Sequence, residues 1–160
     1  MPEQLQQRIL LVGDAAARPD GLERFLVRGG FQVTEADYPP PGPDRPGQAL
    51  PDLLVEAEER FRRLGLRSIE TRLGDGAGGW PERAPFDRII VTAAAPGIPT
   101  PLTEQLGPGG RLVIPVGDLT GQELVILRRG PEGGLTERRA GGVRFVPLIS
   151  RLAFTEEPWS

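Results

Sequence analysis

Acidic residues stand at the ends of two strand-like segments, where carboxylates can bind a ligand. Glu35 and Asp37 close FQVTEAD (31–37), and Asp75 lies between two glycines at the end of SIETRLGD (68–75). A carboxylate at the carboxyl end of a parallel strand can accept hydrogen bonds from ribose hydroxyls, and Glu35 matches that position better than Asp37. The alternatives are a solvated acidic pair and an ordinary turn aspartate.

Small residues follow the next strand-like segment, FDRIIVTAA (86–94). Thr92 and Ala93 open the run TAAAPGIP (92–99). Open α/β sheets place their ligands at such strand ends, and small side chains leave room there. The same run also suits tight packing of a helix on the sheet, and both interpretations can hold together. Trp80, just before this strand, is either a stacking wall or a cap on the core.

Two residue types that carry much of enzyme chemistry are absent from the 160-residue sequence. There is no Cys and no His, which excludes disulfides, Cys-based zinc sites and Ser-His-Asp triads, and no metal site is predicted. The net charge of −3 does not indicate a nucleic-acid partner. No apolar run approaches the ~18 residues of a membrane span, and the N-terminus lacks the features of a signal peptide. We therefore expect a soluble, cytoplasmic protein.

Strand-like and helix-like segments alternate along the chain. Seven segments predict strands: 8–13, 31–37, 68–75, 86–94, 111–117, 122–129 and 143–149. Three predict helices: 20–30, 50–66 and 100–107. The Pro- and Gly-rich stretch 38–47 predicts a loop. This alternation predicts a doubly wound α/β fold with a mostly parallel sheet. The last two strands have no helix between them and should pair antiparallel at its edge.

Long, specific strings occur from Glu56 onward. They are RRLGL, GDG..GWPE.APFD.IIVTAAAP.IP, L..QL.PGGRLVIPVG and VRFVPL. This part of the chain resembles the protein-L-isoaspartate O-methyltransferase family. The resemblance implies a Rossmann-like S-adenosylmethionine methyltransferase fold in a single domain over 1–160, with the strand order 3-2-1-4-5-7-6. It also implies a carboxyl O-methyltransferase acting on isoaspartyl peptides or proteins.

The resemblance also assigns cofactor-binding residues, with S-adenosylmethionine as the cofactor. Asp75 would accept from the exocyclic amine of adenine, while the flanking glycines let the ring lie against the backbone. The candidate set is Gly13, Glu35, Gly74, Asp75, Gly76, Thr92 and Ala93. The favoured interpretation of Gly13 and Asp14 is nevertheless a plain turn from strand to helix. No catalytic residue is assigned, because a carboxylate acceptor titrates near pH ~4 and is already ionised at pH 7.

The sequence departs from the family in two places. The family has a glycine-rich turn after its first strand, of the form E-x-G-x-G-x-G, but VGDAAARPDG (12–21) places Ala15 and Ala17 where glycine favours close backbone approach. Pro19 also removes an N–H donor. The family's segment before this strand, which helps to bind the isoaspartyl peptide, has no counterpart in residues 1–7. We therefore expect impaired binding of both cofactor and substrate.

The N-terminal third resembles a second family, the response-regulator receiver domains. RILLVGDAAARPDGLERFLVRGGFQVTEAD is similar to the opening βαβ of that fold, and PDLLV is similar to its next strand. Only Asp14 fits the acidic cluster of a receiver, and Glu56 stands where the phosphoacceptor Asp is expected, so a signalling module is the least favoured function. The chain then divides into a receiver-like part (1–55), an isoaspartate-methyltransferase-like part (56–150) and a tail (151–160). A non-catalytic or engineered chimeric scaffold stays an alternative, and the sequence does not give an oligomeric state.

Overall fold

The structure of the chain is a computed structural model. It describes residues 8–12, 32–37, 61–65, 68–118 and 120–155. The candidate turn with Gly13 and Asp14, the predicted helix 20–30 and the predicted loop 38–47 lie outside the described residues. Glu35 and Asp37 are described by their backbone positions.

Seven strands form one mixed sheet in the described part of the chain. The strands are β1 (Arg8–Val12), β2 (Gln32–Asp37), β3 (Ile69–Leu73), β4 (Phe86–Val91), β5 (Leu106–Gly117), β6 (Gln122–Arg129) and β7 (Leu135–Val143). The first five pair in parallel, in the order β3-β2-β1-β4-β5. The last two add antiparallel pairs at one edge. The predicted mixed sheet with an antiparallel C-terminal edge is confirmed.

The core lies around the middle of this sheet. Leu10, Ile89 and Leu112, on β1, β4 and β5, are fully buried, and neighbouring strands pair Leu10 with Ile89 and Ile89 with Leu112. Short apolar runs are typical of strands that bury side chains in a core. The runs RILLV and FDRIIV do so here through Leu10 and Val12 and through Phe86, Ile89 and Val91.

The predicted order of the last strands, 3-2-1-4-5-7-6, is wrong, because the sheet continues β5-β6-β7. A tight turn between β5 and β6 sets this order: Asp118 N–H donates to Gly121 O (3.1 Å). A second tight turn follows β6, where Gly130 N–H donates to Gly134 O (2.7 Å). Strands joined by so short a connection become antiparallel neighbours, so β6 takes the place beside β5.

The seventh strand also starts earlier than the predicted segment 143–149. Strand β7 spans Leu135–Val143. Within the predicted segment 143–149, Pro147 forms an isolated parallel bridge with Ala94. The residues 135–142 are exposed, and charged side chains such as Glu137 and Arg138 are typical of an edge strand that avoids pairing with other chains.

The helix after β4 is shorter than the sequence predicts, and residues 50–60 of the predicted helix 50–66 lie outside the described part of the chain. The helix α1 (Thr100–Glu104) ends before the predicted limit at 107, because β5 already begins at Leu106. Of the predicted helix 50–66, residues 61–63 are described as helical, and Gly65 follows with φ of 72°, as expected of a C-terminal stop. Phe61 is buried, but Leu64, predicted on the same apolar stripe, is 40% exposed. None of the described helices is long and apolar enough to cross a membrane.

Candidate functional site

Most of the predicted site segments lie at the carboxyl ends of the parallel strands, on one side of the sheet that is called the carboxyl edge below. The register pairs Val12, the last residue of β1, with Ala36 of β2 and with Val91 of β4. It also pairs Asp37 with Leu73 of β3. The backbones that carry Glu35 and Asp37, Asp75, and Thr92 therefore lie at adjacent strand ends. This is the edge at which open α/β sheets bind ligands.

Asp75 is held at both of its carboxylate oxygens. Its Oδ1 accepts from Ala77 N–H (3.0 Å) and thereby caps a 3-10 turn over Gly76–Gly78. Its Oδ2 accepts from the Ser150 hydroxyl (2.7 Å). Asp75 is nevertheless exposed, and a carboxylate offers about four lone-pair sites. The residue is thus a fixed acceptor with capacity left for a ligand.

Ser150 is the partner of Asp75 that the sequence analysis missed. It is 4% exposed and lies in a turn that is closed by backbone hydrogen bonds. Ser150 N–H donates to Phe154 O (2.8 Å), and Phe154 N–H donates to Leu148 O (3.1 Å). The contact with Asp75 joins residues far apart in sequence. A lone serine near the end of the chain gives no signal of such a contact.

Thr92, which follows β4, is hydrogen-bonded to Val12 at the end of β1. Its backbone N–H donates to Val12 O (2.7 Å), and its hydroxyl donates to the same oxygen (3.2 Å). Both donors of Thr92 therefore serve the protein itself, and the lone pairs of its hydroxyl are what it can offer to a ligand.

The alanines after Thr92 are packing residues in the described structure. Ala93, Ala94 and Ala95 are all buried. Ala94 exchanges two backbone hydrogen bonds of 2.7 Å with residues 146 and 148, and Ala95 exchanges bonds of 3.0 and 2.9 Å with residues 115 and 117. These contacts match the packing interpretation of the run, while a role in holding a methyl donor remains a prediction.

The glycines around Asp75 differ in what the protein requires of them. Gly76 is buried as the first residue of the 3-10 turn. At Gly74 an added Cβ would meet only Arg72 Nε at 3.8 Å, which is ordinary contact. The fold itself therefore tolerates a side chain at Gly74, and any need for glycine there would come from a ligand.

Trp80 follows the 3-10 turn after Asp75 and is partly buried. Its ring packs against the buried cluster, and the guanidinium carbons of Arg72 and Arg83 lie 5.6 and 5.9 Å from the ring centroid. Each arginine also pairs with a glutamate: Arg72 with Glu82 (3.1 Å) and Arg83 with Glu70 (2.6 Å). These contacts match the interpretation of Trp80 as a cap on the core.

Gln105 makes long-range hydrogen bonds that the sequence did not predict. The side chain is buried; its Nε2 donates to Gly78 O (2.8 Å), and its Oε1 accepts from Trp80 N–H (2.7 Å). It fixes the loop after Asp75 to the start of β5. In the sequence it looked like a polar residue near the end of a short helix.

A second carboxylate, Asp118, follows the end of β5. Hydrogen bonds from the Thr120 hydroxyl and from the backbone N–H groups of Thr120 and Gly121 lower the pKa of Asp118 in the turn after β5. Among the described residues, no group of acidic side chains is arranged to hold a metal ion. These strand ends suit recognition by hydrogen bonds, and Asp75 is the fixed carboxylate that follows β3.

Solved structures define the fold class. A protein-L-isoaspartate O-methyltransferase superposes with a TM-score of 0.73 at 23% identity, over 93% of this chain and 44% of its own. A Plasmodium falciparum structure assigned to the same enzyme, in complex with S-adenosyl-L-homocysteine, gives 0.63 at 20% identity, over 89% of this chain and 66% of its own. The fold is thus the Rossmann-like fold of S-adenosylmethionine-dependent methyltransferases.

Sequence comparison gives the family. The model of the family "Protein-L-isoaspartate(D-aspartate) O-methyltransferase (PCMT)" matches residues 48–153, more than half of the chain. The chain is 50% identical over 101 residues to protein-L-isoaspartate O-methyltransferase 1 of Syntrophobacter fumaroxidans, covering 63% of this chain and 47% of that protein. It is 52% identical over 105 residues to the Brucella anthropi enzyme, covering 65% and 48%. The chain belongs to the protein-L-isoaspartate O-methyltransferase family, and it spans about half the length of these curated relatives.

Proposed function

We propose that this chain carries the donor-binding part of an S-adenosylmethionine-dependent carboxyl O-methyltransferase that acts on isoaspartyl peptides or proteins. The observation that carries the proposal is the fixed, exposed Asp75 carboxylate at the carboxyl edge of the sheet, within the stretch that matches the family. In this proposal Asp75 accepts from the exocyclic amine of adenine, and Gly74 and Gly76 let the ring approach the backbone.

The neighbouring strand ends supply the rest of the donor site in this proposal. Glu35, near the end of β2, accepts from the ribose hydroxyls. Thr92 and Ala93 flank the methionine part, and Gly13 offers backbone at the end of β1. The residues fit a nucleoside ligand, because Asp75 keeps free lone pairs and the 92–95 stretch presents no large side chain.

The chemistry needs little from the protein besides position. S-adenosylmethionine supplies an activated methyl group, and the acceptor carboxylate is ionised at neutral pH, since carboxyl groups titrate near pH ~4. No general base is required, which agrees with a sequence without His. The protein's contribution is to hold donor and acceptor in line.

Weak donor binding is part of the proposal. Ala15 and Ala17 replace glycines of the family's cofactor turn, and Pro19 lacks an N–H donor. A Cβ at these positions keeps the backbone from approaching a ligand as closely as glycine does. If this turn abolishes binding altogether, the alternative of a methyltransferase-like scaffold without a catalytic role applies.

Calorimetric titration with S-adenosylmethionine tests the proposal. We expect weak binding by the unmodified chain and tighter binding after Ala15→Gly with Ala17→Gly. Ala140→Gly, at an exposed position on β7, controls for the substitution type and should leave affinity unchanged. A radiolabelled methyl-transfer assay on an isoaspartyl peptide then reports turnover.

The outcomes separate the alternatives. Tight binding and rapid turnover by the unmodified chain would show that the turn is not impaired. Absence of binding in both the unmodified and the glycine-restored chain would favour the scaffold. Phosphorylation of the chain by a small phosphodonor would favour the receiver-like alternative instead.

A further inference from the structure

Ser150 is buried directly against the candidate ligand-binding carboxylate. It is 4% exposed, and its hydroxyl lies 2.7 Å from Asp75 Oδ2. An ionised carboxylate can only accept hydrogen bonds, so the serine must donate its single proton to Asp75.

The orientation of that proton is fixed by a second contact. Leu152 N–H donates to Ser150 Oγ (2.9 Å), which occupies a lone pair of the hydroxyl. The turn around it is closed by further backbone bonds, including Ala153 N–H to Ser150 O (3.2 Å). The hydroxyl is therefore held by a rigid turn and has a single direction in which to donate.

The segment that carries Ser150 also reaches the end of β4. Leu148 N–H donates to Ala94 O, and Ala94 N–H donates to Val146 O, both at 2.7 Å. Residues 146–154 thus connect the loop of Asp75 with the stretch after Thr92. The relative position of these two parts of the edge depends on this segment.

We infer that Ser150 is a positioning residue that aims Asp75 at the amine of an adenine ring and so sets the preference of the site for adenine over a purine that carries an oxygen there. The inference rests on the proposed function. With Oδ1 held by Ala77 N–H and Oδ2 by Ser150, the carboxylate cannot rotate freely. Its remaining lone pairs then point in fixed directions, as specific recognition requires.

The test compares two ligands that differ at the recognised atom. S-adenosylhomocysteine carries the exocyclic amine, whereas S-inosylhomocysteine carries an oxygen that a carboxylate repels. Affinities of both are measured by calorimetry on the full chain and expressed as a ratio. Asp75→Asn should abolish the preference for the adenine ligand, which shows that the ratio reports on Asp75.

Ser150→Ala should lower the ratio about three- to tenfold, as expected for the loss of one orienting hydrogen bond. Ser150→Cys keeps nearly the same volume and supplies a weaker donor, so it should also lower the ratio while preserving the fold. Thr103→Ala removes another hydroxyl hydrogen bond (2.8 Å, to Thr100 O) that does not involve Asp75, and it should leave the ratio unchanged.

A purely structural serine would give a different result. Its loss would lower stability and weaken both ligands equally, and an unchanged ratio in both Ser150 variants would overturn the inference alone. Failure of both the unmodified and the glycine-restored chain to bind either ligand would overturn the proposed function together with the inference.

Discussion

Replacement of Gln105 by leucine should destabilise the protein more than a usual surface substitution. The side chain is 7% exposed and makes two hydrogen bonds to the backbone of the loop after Asp75, to Gly78 O and from Trp80 N–H. Leucine has a similar volume but leaves both backbone groups without a partner. An unsatisfied buried group costs about 1–3 kcal/mol. Because Gly78 and Trp80 are half-buried, water can compensate partly, and we expect a loss of about 2–4 kcal/mol in the free energy of unfolding.

Urea denaturation followed by tryptophan fluorescence measures this loss, with a two-state fit for each variant. Glu104→Leu is the matched control, because it introduces the same side chain at the adjacent, exposed position. The control should stay within about 0.5 kcal/mol of the unmodified chain. A Gln105→Leu variant that is as stable as this control would refute the reasoning, since the two hydrogen bonds would then contribute nothing to stability.

Three further changes test other parts of the structure. Gly79→Ala should lower the free energy of unfolding, because φ is 66° and an added Cβ would come within 2.8 Å of the Gln105 side chain. In a Gln105→Ala background this loss of stability should be smaller. Additive effects of the two substitutions in urea denaturation would contradict the contact. The pKa of Asp118 is lowered, first by the hydrogen bond from the Thr120 hydroxyl. The ionised carboxylate therefore stabilises the folded state at neutral pH. This stabilisation should be lost as the pH falls below the ordinary aspartate pKa of ~3.9 and through the lowered pKa of the folded state. Asp118→Asn should flatten that acid limb of a stability-versus-pH curve, and an unchanged limb would show that the turn does not contribute to it. Asp75→Ala should weaken S-adenosylmethionine binding by about 1–3 kcal/mol in calorimetry; unchanged affinity in a folded variant would remove Asp75 from the site.

The sequence was sufficient to predict the parts of the fold that depend on local pattern. Strand β6 was predicted at its observed limits, and β4 was predicted from its first residue, because apolar runs bounded by turn residues are visible without any tertiary information. The position of Asp75 directly after β3 followed in the same way. The parallel arrangement places the ends of β1 to β4 side by side, and the candidate site at these ends stays a prediction.

The tertiary structure decided what depends on contacts between distant residues. Strand β6 lies beside β5 because the turn at Asp118 brings it back at once, whereas the family order expected from the sequence placed the last strand there. The link between Ser150 and Asp75 spans 75 positions, and the ties of Gln105 to the loop before β4 span 25 and 27. Local periodicity reports whether a residue faces a core, but it carries no information on which distant polar group will meet it. Such hydrogen-bonded pairs form only after the sheet has brought the two loops that carry them close together.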